Sequence, residues 1–425
     1  MCLNGFHSIK PNDILSTTKV YENTNISTDQ DSPNERGMAA ILASKPMWLG
    51  VGTASNLLQL PEMTVLHAGP PLKHPCEPPL PILNSTVLTC IYEGWAKNEL
   101  EASNLIHAGK ICFIPSLNYR AVLPLAAVIS SSSPLTVIQA EGDNKKLWFS
   151  LLGSGIGPQN LFGTNDLAVL ERMSFRDQVL VPGFQLLLEN GPIDLLSIAR
   201  AVLNEGDDLH NRLSTATQIL HSIFLTRKIN AKPALVTLNT LLESPGFFLH
   251  QWMPACAAIL DSANGIIGSS IVTNISGNGV ESAIQISGLS GRWFTFKAFA
   301  IKGPAIKNTA PIEHFPPHIG DSGIIDALGL GGQVLHRAPT IQTAFLPWLP
   351  SNNDLRANSI LMNHHLGIDS VIGTDARIVA QTGHTPLIST AMVATDGSGL
   401  LGRGIGLMPI EPFKKAIIAL DASVC

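Results

Sequence analysis

The sequence predicts a multi-domain fold of mixed α/β and α+β class, with an N-terminal α/β region, a small helical domain and a C-terminal α+β region that contains a β-meander. Three observations predict it. Short apolar runs near the N-terminus end in Gly and Pro turns, apolar residues then recur at helical spacing, and the period afterwards changes to two. The predicted divisions are a disordered tail over residues 1–36 and domains over residues 37–190, 191–263 and 264–425.

The composition is that of a large globular protein. Of 425 residues, 45% are hydrophobic and 14% are charged, against roughly 25% charged in an average soluble protein, so a disordered chain is excluded. The net charge is −5 and no basic run occurs, which argues against a nucleic-acid partner. No apolar stretch approaches the ~18 residues of a membrane span. The N-terminus shows no secretory signal, so we expect a cytoplasmic protein without a membrane partner.

The six cysteines lie far apart and form no CxxC pair. This spacing favours reduced thiols over disulfides or a thiolate zinc site. We therefore expect neither a metal nor a cofactor.

In the N-terminal region, residues 46–52 and 64–71 each have the pattern of a buried strand that runs into a Gly or Pro turn. One helix is expected between residues 84 and 101. Further β-like runs follow at residues 110–115, 121–130 and 135–139. Strands interspersed with a helix predict an α/β arrangement.

The central segment has helical periodicity. Gly191-Pro-Ile-Asp supplies a stop followed by an N-cap at Asp194, after which apolar residues recur at helical spacing. Further helices are expected over residues 209–225, 231–242 and 251–263.

The C-terminal region begins with three strand-like runs, over residues 266–275, 281–287 and 292–301. Gly277-Asn-Gly separates the first two runs. An Asn-Gly pair in that position is typical of a hairpin with a type I′ turn, in which both central residues have positive φ. A Pro-rich loop, a helix from Asp321 and strands within residues 366–410 are expected to complete the chain.

Two motifs in the first half of the chain place functional side chains beside turns. In Leu66-His-Ala-Gly-Pro-Pro the turn would present His67 and Gly69 at an open sheet edge, and the alternative is a plain turn with a satisfied histidine. Glu205-Gly-Asp-Asp-Leu-His-Asn-Arg gathers several functional groups at a predicted helix start, where backbone N–H groups favour anions. These groups belong to Asp207, His210, Asn211 and Arg212. A solvated, capped helix start is the alternative.

Gly-rich segments supply the second group of candidates. Gly268-Ser-Ser-Ile-Val-Thr places Ser269, Ser270 and Thr273 near the hairpin that carries Asn278, either for close approach of a ligand or as an ordinary hairpin. Ile319-Gly-Asp-Ser-Gly offers Asp321 and Ser322 at a helix start, either to cradle a phosphate or simply to cap the helix. The lysine of a P-loop is absent. Two late loops contain His384 and Arg403, which we interpret as surface turns.

Taken in order, these segments resemble the YlbE-like family of conserved bacterial proteins, which includes a subunit of oxamate carbamoyltransferase. The resemblance spans about residues 40–420. Its motifs here are His67-Ala-Gly-Pro-Pro, Gly206-Asp-Asp-Leu-His-Asn-Arg, Gly268-Ser-Ser-Ile-Val-Thr, Gly320-Asp-Ser and Gly329-Leu-Gly-Gly. The family's multi-domain fold, with α/β parts and a small helical domain, agrees with the periodicity.

The resemblance implies carbamoyl transfer between carbamoyl phosphate and a small, oxamate-like amide or amino-acid acceptor, or the reverse phosphorolysis. Guanidinium and backbone N–H groups can anchor the phosphate and stabilise the carbonyl oxygen. We assign Arg212 to phosphate or carboxylate binding, Asp207 to orienting a histidine, and His67 or His210 to the carbonyl oxygen or to proton transfer. Residues 268–273 and 320–322 would supply backbone donors.

The chain departs from the family at three segments, two of which are Glu141-Gly-Asp-Asn-Lys-Lys and Leu152-Gly-Ser-Gly-Ile. The third lost a cluster of histidines. Where relatives show Cys-His-His-His-Gly-Ala-Val-Gly-Pro, it has Ser116-Leu-Asn-Tyr-Arg-Ala-Val-Leu-Pro. Arg120 therefore replaces a glycine beside the lost histidines, and we interpret it as a fixed positive charge in a different acceptor pocket.

Two other functions stay open. One is a non-catalytic or partner-dependent subunit of a carbamoyltransferase complex, and the other is a metal-dependent amide hydrolase that uses His67 and His210. We expect a small anionic substrate. We also expect a homo-oligomer, or a hetero-oligomer with other carbamoyltransferase subunits.

Overall fold

A computed structural model describes residues 32–141, 146–306 and 312–424. Helices and several small sheets combine within these ranges, which confirms the predicted fold class. The helices are α1 (Pro33–Ala43), α2 (Ala54–Leu58), α3 (Leu80–Tyr92), α4 (Glu99–His107), α5 (Ala168–Phe175), α6 (Val181–Leu188), α7 (Leu195–Leu203), α8 (Ser214–Thr226), α9 (Lys232–Glu243), α10 (Leu249–Asp261), α11 (Gly323–Leu328), α12 (Pro339–Phe345), α13 (Asn353–Ile360), α14 (Ala376–Thr382) and α15 (Glu411–Val424). The strands are β1 (Lys45–Thr53), β2 (Thr64–His67), β3 (Cys112–Pro115), β4 (Val128–Ile129), β5 (Pro134–Glu141), β6 (Leu147–Leu151), β7 (Ile193–Asp194), β8 (Val272–Asn278), β9 (Glu281–Ile286), β10 (Phe294–Lys297), β11 (Ile319–Gly320), β12 (Leu361–His365), β13 (Ser370–Thr374), β14 (Leu387–Val393) and β15 (Leu400–Leu407).

Two sheets form the N-terminal region. One is antiparallel, in the order β6-β5-β1-β7, and in the other β2 lies between β3 and β4. β2 and β3 are parallel, and the chain joins them through α3 and α4, as the crossover between parallel strands requires. Their carboxyl ends meet at one edge, where His67 pairs with Pro115.

The single helix expected between residues 84 and 101 is wrong. The chain forms two helices there, because α3 ends at Tyr92 and Gly94 takes a φ of +75°, which interrupts the helical path. α4 then starts anew, with the Asn98 side chain accepting the Glu101 N–H at 3.0 Å.

Residues 1–31 of the expected tail lie outside the described residues. Its last residues, 33–36, are helical, so the expectation of disorder is wrong there. Pro33 opens α1, and Ser32 and Glu35 form a capping box that satisfies two backbone N–H groups.

The central helices follow the predicted pattern closely. Asp194 is the N-cap of α7, and its side chain accepts two backbone N–H groups. α9 and α10 confirm the helices expected over residues 231–242 and 251–263 to within two residues. The helix expected over residues 209–225 begins only at Ser214, because the polar motif before it forms a loop.

The meander of β8, β9 and β10 is confirmed, and β11 completes that sheet in the order β10-β9-β8-β11. The predicted type I′ turn is wrong by one residue. Gly279 has a φ of +88°, but Asn278 is still part of β8. The Asn278 Oδ1 atom accepts the N–H groups of Val280 and Glu281 at 3.0 and 2.8 Å, so the turn is centred on Gly279 and Val280.

The later elements are short. The helix expected from Asp321 is α11, which spans six residues and ends where Gly329 takes a φ of +108°. Two hairpins, β12–β13 and β14–β15, supply the strands expected late in the chain. No helix of the described residues is long and apolar enough to cross a membrane.

One apolar core extends through the N-terminal sheet, the central helices and the C-terminal elements. In this core the ring centroid of Trp48, in β1, lies 5.3 Å from that of Phe184 and 5.7 Å from that of Phe224. Ile324 of α11 and Phe413 of α15 belong to the same cluster. The proposed domain boundaries stay a prediction, since the segments they separate share this core.

Candidate active site

Two motifs that are far apart in the sequence meet at α11. His210 Nδ1 lies 2.8 Å from Asp326 Oδ2, and both side chains are buried. The other oxygen, Asp326 Oδ1, accepts the N–H groups of Gly332 at 2.8 Å and Ser389 at 3.1 Å. Burial raises the pKa of the Asp326 carboxyl, and the neighbouring His210 opposes that rise. The fold therefore holds an imidazole and a buried carboxyl at ion-pair distance.

Gly331 permits this approach. Its φ is +56°, and its N–H donates to the Asp208 carbonyl at 2.9 Å. A Cβ atom there would lie 2.5 Å from Asp326 Oδ1 and 3.1 Å from His210 Nδ1. A side chain at this position would separate the two groups, so the position requires glycine.

Asp208 fixes the loop that carries His210. Its carboxylate accepts the N–H groups of His210 at 3.1 Å and Arg212 at 2.7 Å, and also the hydroxyl of Ser389 at 3.2 Å. Leu209, between these residues, has a φ of +61°. That conformation costs a bulky residue about 1–2 kcal/mol, and the Asp208 contacts offset the cost.

His210 lies in the wall of a cavity of about 420 Å³. Both ring nitrogens are buried, and neither forms a hydrogen bond within the described residues, so the contact between Nδ1 and Asp326 is one of distance and charge. Asn211 and Ser322, also predicted from the sequence, line the same cavity, together with Thr390 and Arg403. The Arg403 guanidinium donates to the Asn211 carbonyl oxygen. The cavity thus combines an imidazole, hydroxyls and a cation.

His250, at the start of α10, lines the cavity as well. Its Nδ1 atom lies 2.8 Å from the Leu151 carbonyl oxygen. Because a carbonyl oxygen can only accept, Nδ1 is the donor of this hydrogen bond. Burial lowers the pKa of His250 to about 4, so the ring is neutral at pH 7 and its Nε2 is an acceptor.

Asp207 and Arg212 pair with each other. Arg212 Nε lies 3.1 Å from Asp207 Oδ1, and Asp207 Oδ2 accepts the Ala216 N–H at 3.1 Å. Burial raises the pKa of Asp207 to about 6, and the Arg212 charge partly opposes this. Asp207 therefore contacts an arginine rather than a histidine, and neither side chain lines the cavity.

The predicted residues His67, Gly69, Asn278 and Asp321 form a separate cluster. Asp321 accepts hydrogen bonds from Gly69 N at 2.8 Å, Leu123 N at 2.8 Å and Ser116 Oγ at 2.7 Å. Asn278 Nδ2 donates to the Pro70 carbonyl at 3.0 Å. His67 Nδ1 donates to the Ala68 carbonyl at 2.8 Å, and burial lowers the pKa of His67 to about 4. These hydrogen bonds join the loop after β2 to Asp321, the residue that precedes Ser322 in the chain.

The serines predicted to bind substrate join helices instead. Ser270 Oγ donates to Asp375 Oδ1 at 2.7 Å, and Asn34 of α1 donates to the Ser270 hydroxyl at 2.9 Å and to Asp375 at 3.0 Å. Ser269 donates to Asn34 Oδ1 at 3.1 Å. Neither of these serines nor Thr273 lines the cavity.

Arg120 lines a different, more polar pocket of about 570 Å³, beside the ion pair between Lys146 and Asp261 at 3.2 Å. No lining residue is common to this pocket and the His210 cavity. Within the described ranges, no group of three or more His, Cys, Asp or Glu side chains is arranged to hold a metal ion.

Sequence reasoning missed Asp326, His250 and the role of Arg403. Asp326 did carry a signal, because it interrupts the apolar run of α11, and a lone carboxylate in such a run must be buried and paired. Arg403 was recognised only as a loop residue. His250 lies in an apolar helix start, Phe247-Phe-Leu-His-Gln-Trp-Met, which matches no motif of functional residues.

Comparisons with known proteins give consistent results. A family model described as oxamate carbamoyltransferase subunit AllG matches residues 111–322. The oxamate carbamoyltransferase subunit AllG of Escherichia coli K12 is 31% identical over 406 residues, covering 90% of this chain and 96% of that protein. The uncharacterized protein YahG of the same organism is 29% identical over 409 residues, covering 91% and 84% of the two chains.

A solved structure agrees with the fold. The crystal structure of a conserved protein of unknown function from Enterococcus faecalis V583 superposes with a TM-score of 0.84 at 28% identity, covering 92% of this chain and 98% of the other. The resemblance to an oxamate carbamoyltransferase subunit is thereby confirmed, whereas none of these matches carries the YlbE-like name.

Proposed function

The chain belongs to the family of the oxamate carbamoyltransferase subunit AllG, and from that premise we propose that its His210 cavity transfers a carbamoyl group between carbamoyl phosphate and a small amide or amino-acid acceptor, or runs the reverse phosphorolysis. One observation carries the proposal. His210 belongs to the cavity wall, its Nδ1 atom lies 2.8 Å from a buried carboxylate oxygen, and its Nε2 atom has no hydrogen-bond partner within the described residues. That arrangement suits a group that takes up and returns a proton.

The reaction forms a bond between the acceptor nitrogen and the carbamoyl carbon and breaks the bond from that carbon to the phosphate oxygen. His210 Nε2 accepts the proton that the nitrogen loses and can return it to the departing phosphate. Asp326, next to Nδ1, holds the ring and stabilises its protonated form. Asp326 is a positioning residue, since it acts through His210.

The remaining polar groups of the cavity fit the other requirements. The hydroxyls of Ser322 and Thr390, 3.3 Å apart, are suited to the carbonyl oxygen, on which negative charge develops. Arg403 is exposed at the wall and has no carboxylate within 4.0 Å among the described residues, so it is suited to phosphate or carboxylate. Arg403 thus takes the role first assigned to Arg212.

The test is the variant His210→Gln, assayed for release of inorganic phosphate and formation of a carbamoylated product from carbamoyl phosphate. General acid–base catalysis contributes about 10²–10⁴-fold, and we expect a loss of that size in turnover. His336→Gln is the control, because His336 is exposed and outside the cavity. Unchanged turnover in His210→Gln would remove the proposal.

A partner-dependent subunit is the second candidate, because the relative with 31% identity is named as a subunit. The same assay separates the two. The purified chain is active alone if it is an enzyme in its own right. It is inert alone, and active once other carbamoyltransferase subunits are added, if it depends on them.

A further inference from the structure

We propose that the acceptor used by the His210 cavity carries an apolar substituent, of about the size of an isobutyl or benzyl group, beside its carboxylate. The inference deepens the proposed function and rests on it, because that function supplies the reaction in which an acceptor takes part. The evidence for the apolar substituent comes from the walls and the size of the cavity.

The polar groups assigned to the reaction lie together on one side of the cavity. Arg403 pairs across the β14–β15 hairpin with Ala391, next to Thr390. Arg403 donates to the Asn211 carbonyl, and Thr390 lies 3.3 Å from the Ser322 hydroxyl. The hairpin, the loop of His210 and the start of α11 therefore form one continuous polar wall.

Apolar side chains make most of the remaining wall. They come from two chain segments, residues 155–162 and 243–250, and from the loop before β4. They are Leu125, Ile156, Leu161, Phe162, Phe247 and Leu249. The polar side chains in these segments are Gln159, Glu243, Ser244 and His250. Of these, His250 is neutral and Glu243 lies near the Arg172 charge.

The size of the cavity is the second argument. An apolar cavity of about 150 Å³ is enough to hold benzene. At about 420 Å³ this cavity is nearly three times that size, so it leaves room for a side chain of benzene size beside the reacting groups of the acceptor and of carbamoyl phosphate. An acceptor as small as oxamate would leave the apolar wall facing water. Its binding would then gain no free energy from the burial of apolar surface.

The rim of the cavity also favours an acceptor with an apolar substituent. Ile156 is 57% exposed although it lines the cavity. When a ligand covers a large apolar side chain at a cavity mouth, the free energy falls because apolar surface is removed from water. An acceptor with an apolar substituent would do so.

The experiment measures binding to the full chain by calorimetry with glycine, leucine, phenylalanine and oxamate, followed by carbamoyl transfer to each. We expect phenylalanine or leucine to bind at least about tenfold more tightly than glycine and oxamate, as burial of one such side chain allows. Equal or weaker binding of the apolar amino acids would overturn the inference.

Two variants locate the effect. Ala391→Leu adds bulk on the half-buried wall, and Ile156→Asp places a charge at the exposed rim. Each should weaken phenylalanine binding more than glycine and oxamate binding, so that the tenfold preference is lost. Ala201→Leu, on the exposed face of α7, is the matched control. If the preference survives both cavity variants, the apolar ligand binds elsewhere and the inference fails.

The two proposals fail separately. Transfer to oxamate and glycine as efficient as transfer to phenylalanine keeps the carbamoyltransferase function and removes the apolar substituent. Selective binding of phenylalanine without any carbamoyl transfer, with or without partner subunits, removes the function and keeps an apolar acid as the ligand of the cavity.

Discussion

Two buried aspartates, Asp321 just before the short helix α11 and Asp326 within it, differ in one respect. Asp321 has both oxygens occupied, by two backbone N–H groups and the Ser116 hydroxyl. Asp326 has one oxygen occupied by two backbone N–H groups, while the other faces the His210 ring. A carboxylate saturated by fixed donors holds loops together. One that leaves an oxygen to an imidazole can take part in proton transfer.

The histidines show the same contrast. His67 and His210 each have a buried Nε2 without a partner. His67 Nδ1, however, donates to the adjacent carbonyl, no carboxylate of the described residues pairs with the ring, and His67 does not line the cavity. Burial and residue type are therefore insufficient to identify a reactive group. A carboxylate beside Nδ1 and a position in the cavity wall are what distinguish His210 from His67.

The largest expected effect separates the two aspartates by activity. Asp326→Asn keeps the shape of the side chain and removes its negative charge beside His210. We expect turnover to fall about 10²–10⁴-fold, because protonated His210 loses the group that stabilises it. The acid limb of the pH–rate profile should also move to lower pH, which a purely structural change would not cause.

Asp321→Asn is the matched control for that experiment. It should keep the position of the acid limb, since Asp321 does not contact a histidine. A larger loss of turnover in Asp321→Asn than in Asp326→Asn would reverse the roles assigned to the two carboxylates.

The next effect is on stability. Asp321→Leu leaves two backbone N–H groups and one hydroxyl without their acceptor inside the protein. Each buried, unsatisfied donor costs about 1–3 kcal/mol, so the free energy of unfolding should fall by at least about 3 kcal/mol at pH 7. Urea unfolding measures it. Asp396→Leu, at an exposed turn, should change that free energy by about 1 kcal/mol or less.

The loss in Asp321→Leu should also depend on pH. Burial raises the pKa of Asp321 to about 6, above its unfolded value near 3.9. A carboxyl with a raised pKa contributes its full stability below about pH 4 and loses it as the pH rises through about 6. The advantage of the natural protein over Asp321→Leu should therefore be larger at pH 4 than at pH 7, by roughly 3 kcal/mol. An advantage that grows with rising pH would contradict this sign.

Local signals in the sequence predicted much of the fold. The N-cap at Asp194 and the apolar spacing after it placed α7, and alternation with a turn placed the meander. The errors also have local causes. Gly94 ends α3 within the span expected to be one helix, and the Asn278 side chain moves the hairpin turn by one residue.

The candidate site was predictable only in part. His210, Asn211 and Ser322 were singled out from their motifs, and all three line the cavity. The choice of Asp326 over Asp207 as the neighbour of His210 depends on how closely α11 approaches the His210 loop, which no local pattern contains. Long-range packing against Gly331 determines it.

The smallest expected effect concerns the serines first assigned to substrate binding. Ser270→Ala removes a hydroxyl that joins Asn34 to Asp375, so the free energy of unfolding should fall by about 1–2 kcal/mol. Thermal unfolding measures it, with Ser222→Ala on the exposed face of α8 as the control. Because Ser270 lies outside the cavity, KM and turnover should not change. A rise in KM without loss of stability would instead support the original assignment of residues 268–273 to substrate, and would extend the site beyond the His210 cavity.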